Sequence, residues 1–318
     1  MNYFLKPSKA AWFRKTLAVT GILIGVSAGV KAQTDEDGIM MPKKNFCGGV
    51  MYSHSSWNHY WEGTFKRNNP NIGTVATQMI GLMGTYGLTN KLNVQIGVPY
   101  VTTTASAGTL HSQHGIQDLS LWVKWQALKM SGSMGTLSVY LVGGGSLPLT
   151  NYIADYLPLS IGMHSKTLSG RLLIDYQERN FFATASGTYT RRGDITIDRN
   201  AYYTTEMHLT NKVDMPDMIS FNFRTGYRSN RLVLEAVLSN MITLGGFDIR
   251  KNDMPFPSNK MNATMMGGHF RYDLPVIKRL SLTGGAAFTI AGRNVGQATS
   301  FDAGVYYILD FSPKKKQK

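Results

Sequence analysis

Residues 117–128, QDLSLWVKWQAL, restrict the fold more than any other stretch of the chain. Leu119, Leu121, Val123, Trp125 and Ala127 share one face of an extended backbone, and Asp118, Ser120, Trp122, Lys124 and Gln126 share the other. Strict alternation is the period of a strand, not of a helix. A strand packed in a soluble sandwich needs only ~5–6 residues. A strand of ~9–11 residues, tilted about 45°, crosses a bilayer. The length and the unbroken apolar face predict one stave of a transmembrane β-barrel.

The pattern recurs down the chain and predicts twelve strands, over 48–61, 74–88, 92–103, 117–128, 135–147, 167–176, 181–191, 218–227, 232–243, 264–272, 280–291 and 299–311. The connections alternate in length. Tight turns carry Asn90, Gly132, Glu178-Arg179, Ser229-Asn230 and Pro275, and long loops start from Ala105, Pro148, Arg192 and Gly245. Short turns on one side, long loops on the other and an even strand number describe an outer-membrane barrel, with both chain ends on the periplasmic side. A soluble β-sandwich predicts no such asymmetry. Tyr86, Tyr100, Tyr176, Tyr189, Tyr227 and Tyr272 fall near predicted strand ends, where a barrel places its interfacial aromatic girdles. The fold class read from the sequence is therefore all-β: an antiparallel, up-and-down, twelve-stranded transmembrane barrel.

The start of the chain fits export. Lys6, Lys9, Arg14 and Lys15 precede the apolar run TLAVTGILIGVSAGV, and Val30-Lys31-Ala32 resembles a cleavage site, so residues 1–32 read as a cleaved signal peptide. Residues 33–47 read as a polar periplasmic lead-in, 48–311 as the barrel, and 312–318, SPKKKQK, as a basic tail. No later apolar run reaches the ~18 residues of a membrane-spanning helix. Cys47 is the only cysteine, which excludes an internal disulfide. The formal charge of +14 could suggest nucleic acid. In an exported protein, lipid head groups and lipopolysaccharide phosphates are better counter-ions for Lys66-Arg67, Arg191-Arg192 and Arg250-Lys251. The expected partners are thus outer-membrane lipid, the barrel-assembly machinery and a small solute, with no nucleic acid and the chain a monomer.

Strand parity selects the candidate site. Ionisable groups cannot face lipid cheaply, so Asp118, Lys124, Arg171, Asp175, Arg224, Glu235, His269, Arg271, Asp302 and Asp310 are expected to line the lumen. Lys124, Arg171, Arg224 and Arg271 would form the basic side of a constriction; Asp118, Asp175 and Glu235 the acidic side. Barrels of about eight strands are filled by side chains and those of sixteen to eighteen hold an aqueous channel. Twelve strands leave both a narrow pore and a salt-bridged plug open. Trp57, Tyr60 and Trp61 could stack on an aromatic ligand or form a membrane-interface belt. His54, His59, His111 and His114 lack the spacing of a metal motif, so no metal and no cofactor is expected.

KLNVQIGVPYV and HGIQDLSLWVKWQAL together resemble the outer-membrane transporters grouped with the phenol-degradation meta pathway, and SHSSWNHYWEGTFKRNNPNIGTVATQ resembles the versions of that family found in Bacteroidetes. The resemblance is clearest over residues 50–130. It implies an outer-membrane channel, with some members associated with aromatic or hydrophobic compounds, and it brings no catalytic motif. One departure is the end of the chain. Such barrels commonly finish on an aromatic residue read by the assembly machinery, whereas here Phe311 is followed by seven more residues.

The leading expectation is a passive channel for uptake or efflux of small solutes. A closed structural or adhesive barrel, binding a partner through its outer loops, is the alternative from another class. An enzyme is the third: twelve-stranded phospholipases carry His-x-Ser-Asn-Gly, but in His54-Ser55-Ser56-Trp57-Asn58 tryptophan stands at the asparagine position and asparagine at the glycine position.

Overall fold

Side chains that alternate in polarity demand two different solvents, and the fold supplies lipid outside and a polar lumen inside. The computed structural model describes residues 34–313 except Asn252. The predicted signal peptide and residues 314–318 of the tail lie outside the described residues. Twelve long strands form the wall: β1 Asn45–Trp57, β2 Val75–Gly87, β3 Leu92–Ala105, β4 Asp118–Gly132, β5 Gly135–Pro148, β6 Thr167–Glu178, β7 Phe181–Arg192, β8 Met218–Arg228, β9 Leu232–Thr243, β10 Asn262–Asp273, β11 Leu280–Arg293 and β12 Thr299–Asp310. Each pairs antiparallel with its sequence neighbour, and β1 pairs with β12, so the sheet closes. Closure leaves no open edge, the condition for backbone in a bilayer.

The outward faces are apolar all round. Leu121, Val123 and Trp125 of β4 are exposed, while Lys124 between them has no exposed surface. The same alternation exposes Leu172 and Ile174 on β6, Phe221 and Phe223 on β8, and Val305, Tyr307 and Leu309 on β12. Among the predicted girdle residues, Tyr100, Tyr176, Tyr189 and Tyr272 are exposed on this surface.

Two strands differ from expectation. The predicted first strand, 48–61, starts earlier, at Asn45, and ends at Trp57; His59–Glu62 leaves the wall and pairs with Phe65–Asn68 as a separate hairpin. On β4 a bulge between Gln126 and Leu128 takes Ala127 out of register. Alternation resets there, so Leu128 and Met130 continue the exposed apolar face and the strand runs on to Gly132.

The lead-in expected outside the barrel turns inward instead. Its last residues, Asn45–Cys47, already belong to β1, and Thr34–Lys44 packs against lumen-facing side chains. Met41 is fully buried with Cys47, Tyr306 and Ile308, and Met40 and Trp122 pack on the cluster of Tyr140, Val142 and Leu173. Above the wall the long outer loops fold on one another: Ala154, Ile195, Ile197, Tyr202, Val213, Met215 and Phe256 share one apolar core.

Candidate functional site

The lumen is organised by three consecutive acids, Asp35, Glu36 and Asp37, held against a row of cations from the wall. Lys124 on β4 pairs across Val142 on β5 with Arg171 on β6, so both cations stand at one height, two strands apart. Lys124 Nζ donates to Asp37 Oδ1 (3.1 Å) and to the carbonyls of Thr34 (3.2 Å), Ile39 (3.0 Å) and Asp37. A buried ammonium must have every donor answered, and here one short segment answers them. Asp37 also accepts the backbone N–H groups of Thr34 (2.7 Å) and Ile39 (3.0 Å), which fixes the segment as a tight turn around the lysine.

Arg171 donates to Thr188 of β7 (2.7 Å), Asp35 (2.9 Å) and Glu36 (3.5 Å). Arg224 on β8 bridges Glu36 (2.7 Å) and Glu235 of β9 (2.8 Å). Aromatic rings back two of these cations: Trp122 lies 5.1 Å from the Arg171 guanidinium and Tyr140 5.2 Å from Lys124 Nζ. Tyr140 also donates to Gly38 O at 2.9 Å. Near the short-turn end Asp175 accepts from Arg228 (3.0 Å) and Thr184 (2.5 Å), and its side chain fills the space that a Cβ on Gly38 would need. A polar cavity of about 510 Å³ reaches Gly38, Ile39 and Met40 of the segment and Arg228 of the wall.

The far wall is different. Along β8–β12 the inward side chains of His269 and Asp302 are only partly buried, 29% exposed each, while Arg224 and Glu235 beside them are largely enclosed. His269 stands between two carboxylates, Nδ1 at 3.6 Å from Glu235 and Nε2 at 3.7 Å from Asp302. Gly285 permits that approach, because a Cβ there would lie 2.7 Å from Asp302 Oδ1. His269 and Asp302 thus keep exposed surface on this side of the lumen.

The remaining predicted residues fall at the rims. Asp118 accepts the Tyr152 phenol at 2.6 Å and so anchors the loop between β5 and β6; burial and this carboxylate push the Tyr152 phenol up. Arg271 is buried, 3.3 Å from Asp273, and Asp310 meets Arg279 at 3.1 Å. Trp61 is buried, with its ring over Gly292, and the Trp57 ring lies over Gly296. Tyr60 bridges Gly296 through its backbone and tilts its ring 6.2 Å from Trp57. The three aromatics thus pin the 59–68 hairpin onto the β11–β12 connection. His54 pairs with Phe301 and Gln78, and Ser56 with Thr299 and Ala76, inside the regular ladder of β1. Among the described residues no group of three or more His, Cys, Asp and Glu side chains gathers as metal ligands would.

The outer loops meet at Asn294, which is almost fully buried. It accepts from the backbone of Gly63 (2.8 Å) and Ile249 (3.0 Å) and donates to Asp248 (2.7 Å) and Lys260 O (2.8 Å). Arg293 grips Asp248 through two hydrogen bonds, and these hold the Asp248 carboxyl below the usual carboxylate range.

The sequence reading missed Asp35, Glu36, Asp37 and Tyr140. One signal was available: three adjacent acids in a chain of net positive charge, directly after the expected cleavage site.

No protein-family description and no curated protein matches the chain. Among solved structures, the COG4313 outer membrane channel from Pseudomonas putida F1 is similar, with a TM-score of 0.66 and 15% identity over 88% of this chain and 100% of that one. The chain is an outer-membrane β-barrel. The barrel also shows weaker likeness to the translocator domain of the autotransporter NalP from Neisseria meningitidis (TM-score 0.44, 10% identity, 86% of this chain and 90% of that one). For the NanC porin the TM-score is 0.46 at 9% identity, over 82% of this chain and 98% of that one.

Proposed function

We propose that this barrel is a channel for small solutes, narrowed by its own segment 34–41 and conducting along the β8–β12 side. The observation that carries the reading is the contrast in burial around one lumen. Lys124 is wholly enclosed, whereas the side chains of His269 and Asp302 each keep 29% of their surface exposed. Polar groups that keep exposed surface in the lumen are what a passing solute would meet. The resemblance of residues 50–130 to outer-membrane transporters of the phenol-degradation meta pathway, and the shared fold of the COG4313 channel, support the same reading.

In this mechanism solute moves by diffusion, and the wall contributes electrostatic selection. Arg224 is held between two carboxylates, and Asp302 meets only the imidazole of His269 in an ion pair. The half-open side is thus net acidic and should favour cations over anions when segment 34–41 is in place. The test is single-channel recording from the chain starting at Gln33, refolded and inserted into a planar bilayer. Discrete, cation-selective steps are expected. A silent bilayer, with insertion verified by the mobility shift between boiled and unboiled samples, would instead support the second reading: a closed barrel that binds a partner through its outer loops. That alternative draws on the apolar core shared by those loops.

A further inference from the structure

The acidic segment has the chemistry of a ligand. It presents carboxylates to Lys124, Arg171 and Arg224 and, a few residues on, an apolar side chain, Met40, to the cluster of Tyr140, Val142 and Leu173 on which Trp122 also packs. Without it, Lys124 would lose all four acceptors described above, and Arg171 would keep only a neutral partner, Thr188. The wall itself supplies Glu235 to Arg224 and Asp175 to Arg228, and no carboxylate to the other two cations within ion-pair distance. An empty cradle would therefore be basic, with two aromatic faces beside its charges.

Strands lie ~4.8 Å apart, so the backbones bearing Lys124 and Arg171 are roughly 10 Å apart across β5. Their side chains reach inward from both edges of that gap, each with an aromatic ring beside its charge. Arg recognises carboxylates through its fork of donors, and both cations are already stacked on rings. The polar cavity gives such an anion access to Gly38–Met40 without crossing the outer loops.

We propose that Lys124, Arg171 and Arg224, with Trp122 and Tyr140, form a binding site for a small aromatic carboxylate, which residues 35–40 occupy as an internal competitor. This deepens the channel reading and rests on it for its purpose, but the site itself is testable without any current. An internal competitor lowers apparent affinity by the fraction of molecules in which it is bound. Weakening it must therefore tighten ligand binding, which a merely structural plug would not do.

The experiment is an equilibrium titration of phthalate into the full-length barrel in detergent, with the uncharged analogue phthalamide as control. The Asp35→Asn, Glu36→Gln, Asp37→Asn triple variant should bind phthalate at least about tenfold tighter than the native protein. Adding Arg171→Gln should remove that gain, and phthalamide should bind neither form. Equal binding by native and triple variant, or binding indifferent to Arg171, overturns the proposal. If the triple variant fails the heat-mobility test of folding, Glu36→Gln alone carries the comparison, with a smaller tightening expected and no tightening counting against the site. Bilayer recording separates the two levels. A conducting barrel that ignores phthalate in the titration sinks the site and spares the channel, whereas a silent barrel that binds phthalate does the reverse.

Discussion

The two sides of the lumen are built from the same strand alternation and end in different states. On β4–β7 the inward positions Lys124, Leu173, Asp175, Thr184 and Thr188 are buried; on β8–β12 Asn222, His269 and Asp302 keep exposed surface. The strands do not cause the difference. It comes from segment 34–41, whose acids meet the first-wall cations Lys124 and Arg171, while on the other side Glu36 reaches Arg224 and Met41 packs with Tyr306 and Ile308. The second wall pairs its own charges, Arg224 with Glu235 and His269 with Glu235 and Asp302, and has less need of the segment. Charge left unpaired by the wall decides where the segment packs.

The strongest way to break the comparison is Lys124→Met. Removing one partner of a buried ion pair costs about 3–5 kcal/mol, because the other charge is left uncompensated. Asp37 escapes that cost only if the segment leaves the lumen, so the variant should become accessible to protease near residue 40 and conduct several-fold more than the native barrel. An unchanged cleavage pattern would mean that Lys124 does not hold the segment.

Asn294→Ala should follow in size. Four hydrogen bonds join this side chain to three stretches of the outer loops, and each buried one is worth roughly 1 kcal/mol. Limited trypsin digestion should cut the variant near Lys66 or Lys260 well before the native protein, with the strands intact. Equal digestion rates would remove Asn294 as the link between the loops.

Asp302→Asn sharpens the contrast from the other side. Its side chain is 29% exposed, and among the described residues its one ion-pair contact is His269 at 3.7 Å, so the unfolding midpoint in guanidinium should hardly move. Cation preference in a salt gradient should fall. An unchanged reversal potential would take the β8–β12 side out of the conduction path.

The smallest effect expected is with pH. Asp248 titrates below its ordinary range, so the stability it lends the outer loops is complete above the unfolded carboxylate pKa and lost as pH falls through its lower folded value. The fluorescence of Trp57 and Trp61, which sit at the outer loops, should change as the native protein is acidified through this range and change less in Asp248→Asn. Since the pair is largely exposed to solvent, high salt should shrink the effect.

Much of this architecture was legible in advance, because period-two alternation and turn length are local properties of a chain. Strand parity placed Leu121, Val123 and Trp125 outward and Lys124 inward without any structure. Parity fails beyond a bulge: Ala127 is exposed as read, but the alternation resets after it, so Leu128 rather than Lys129 continues the outward face. It also says nothing about what a lumenal charge meets. Asp35, Glu36 and Asp37 carry no periodicity, so they read as a loose lead-in, and only the coordinates bring Asp35 to Arg171 across the sequence. Trp57 and Trp61 were ambiguous for a related reason: the glycines beneath them, Gly296 and Gly292, lie far along the chain.

The central claim is that one wall carries the flux while the other is blocked by the chain's own acids. The most direct test is the single-channel conductance of the native barrel against one lacking residues 34–41, both recorded in the same planar bilayer at low salt. The account predicts small, cation-selective steps from the native protein and steps several-fold larger, shifted toward anions, once the cradle of Lys124, Arg171 and Arg224 is uncovered. Identical conductance and selectivity in the two proteins would contradict it.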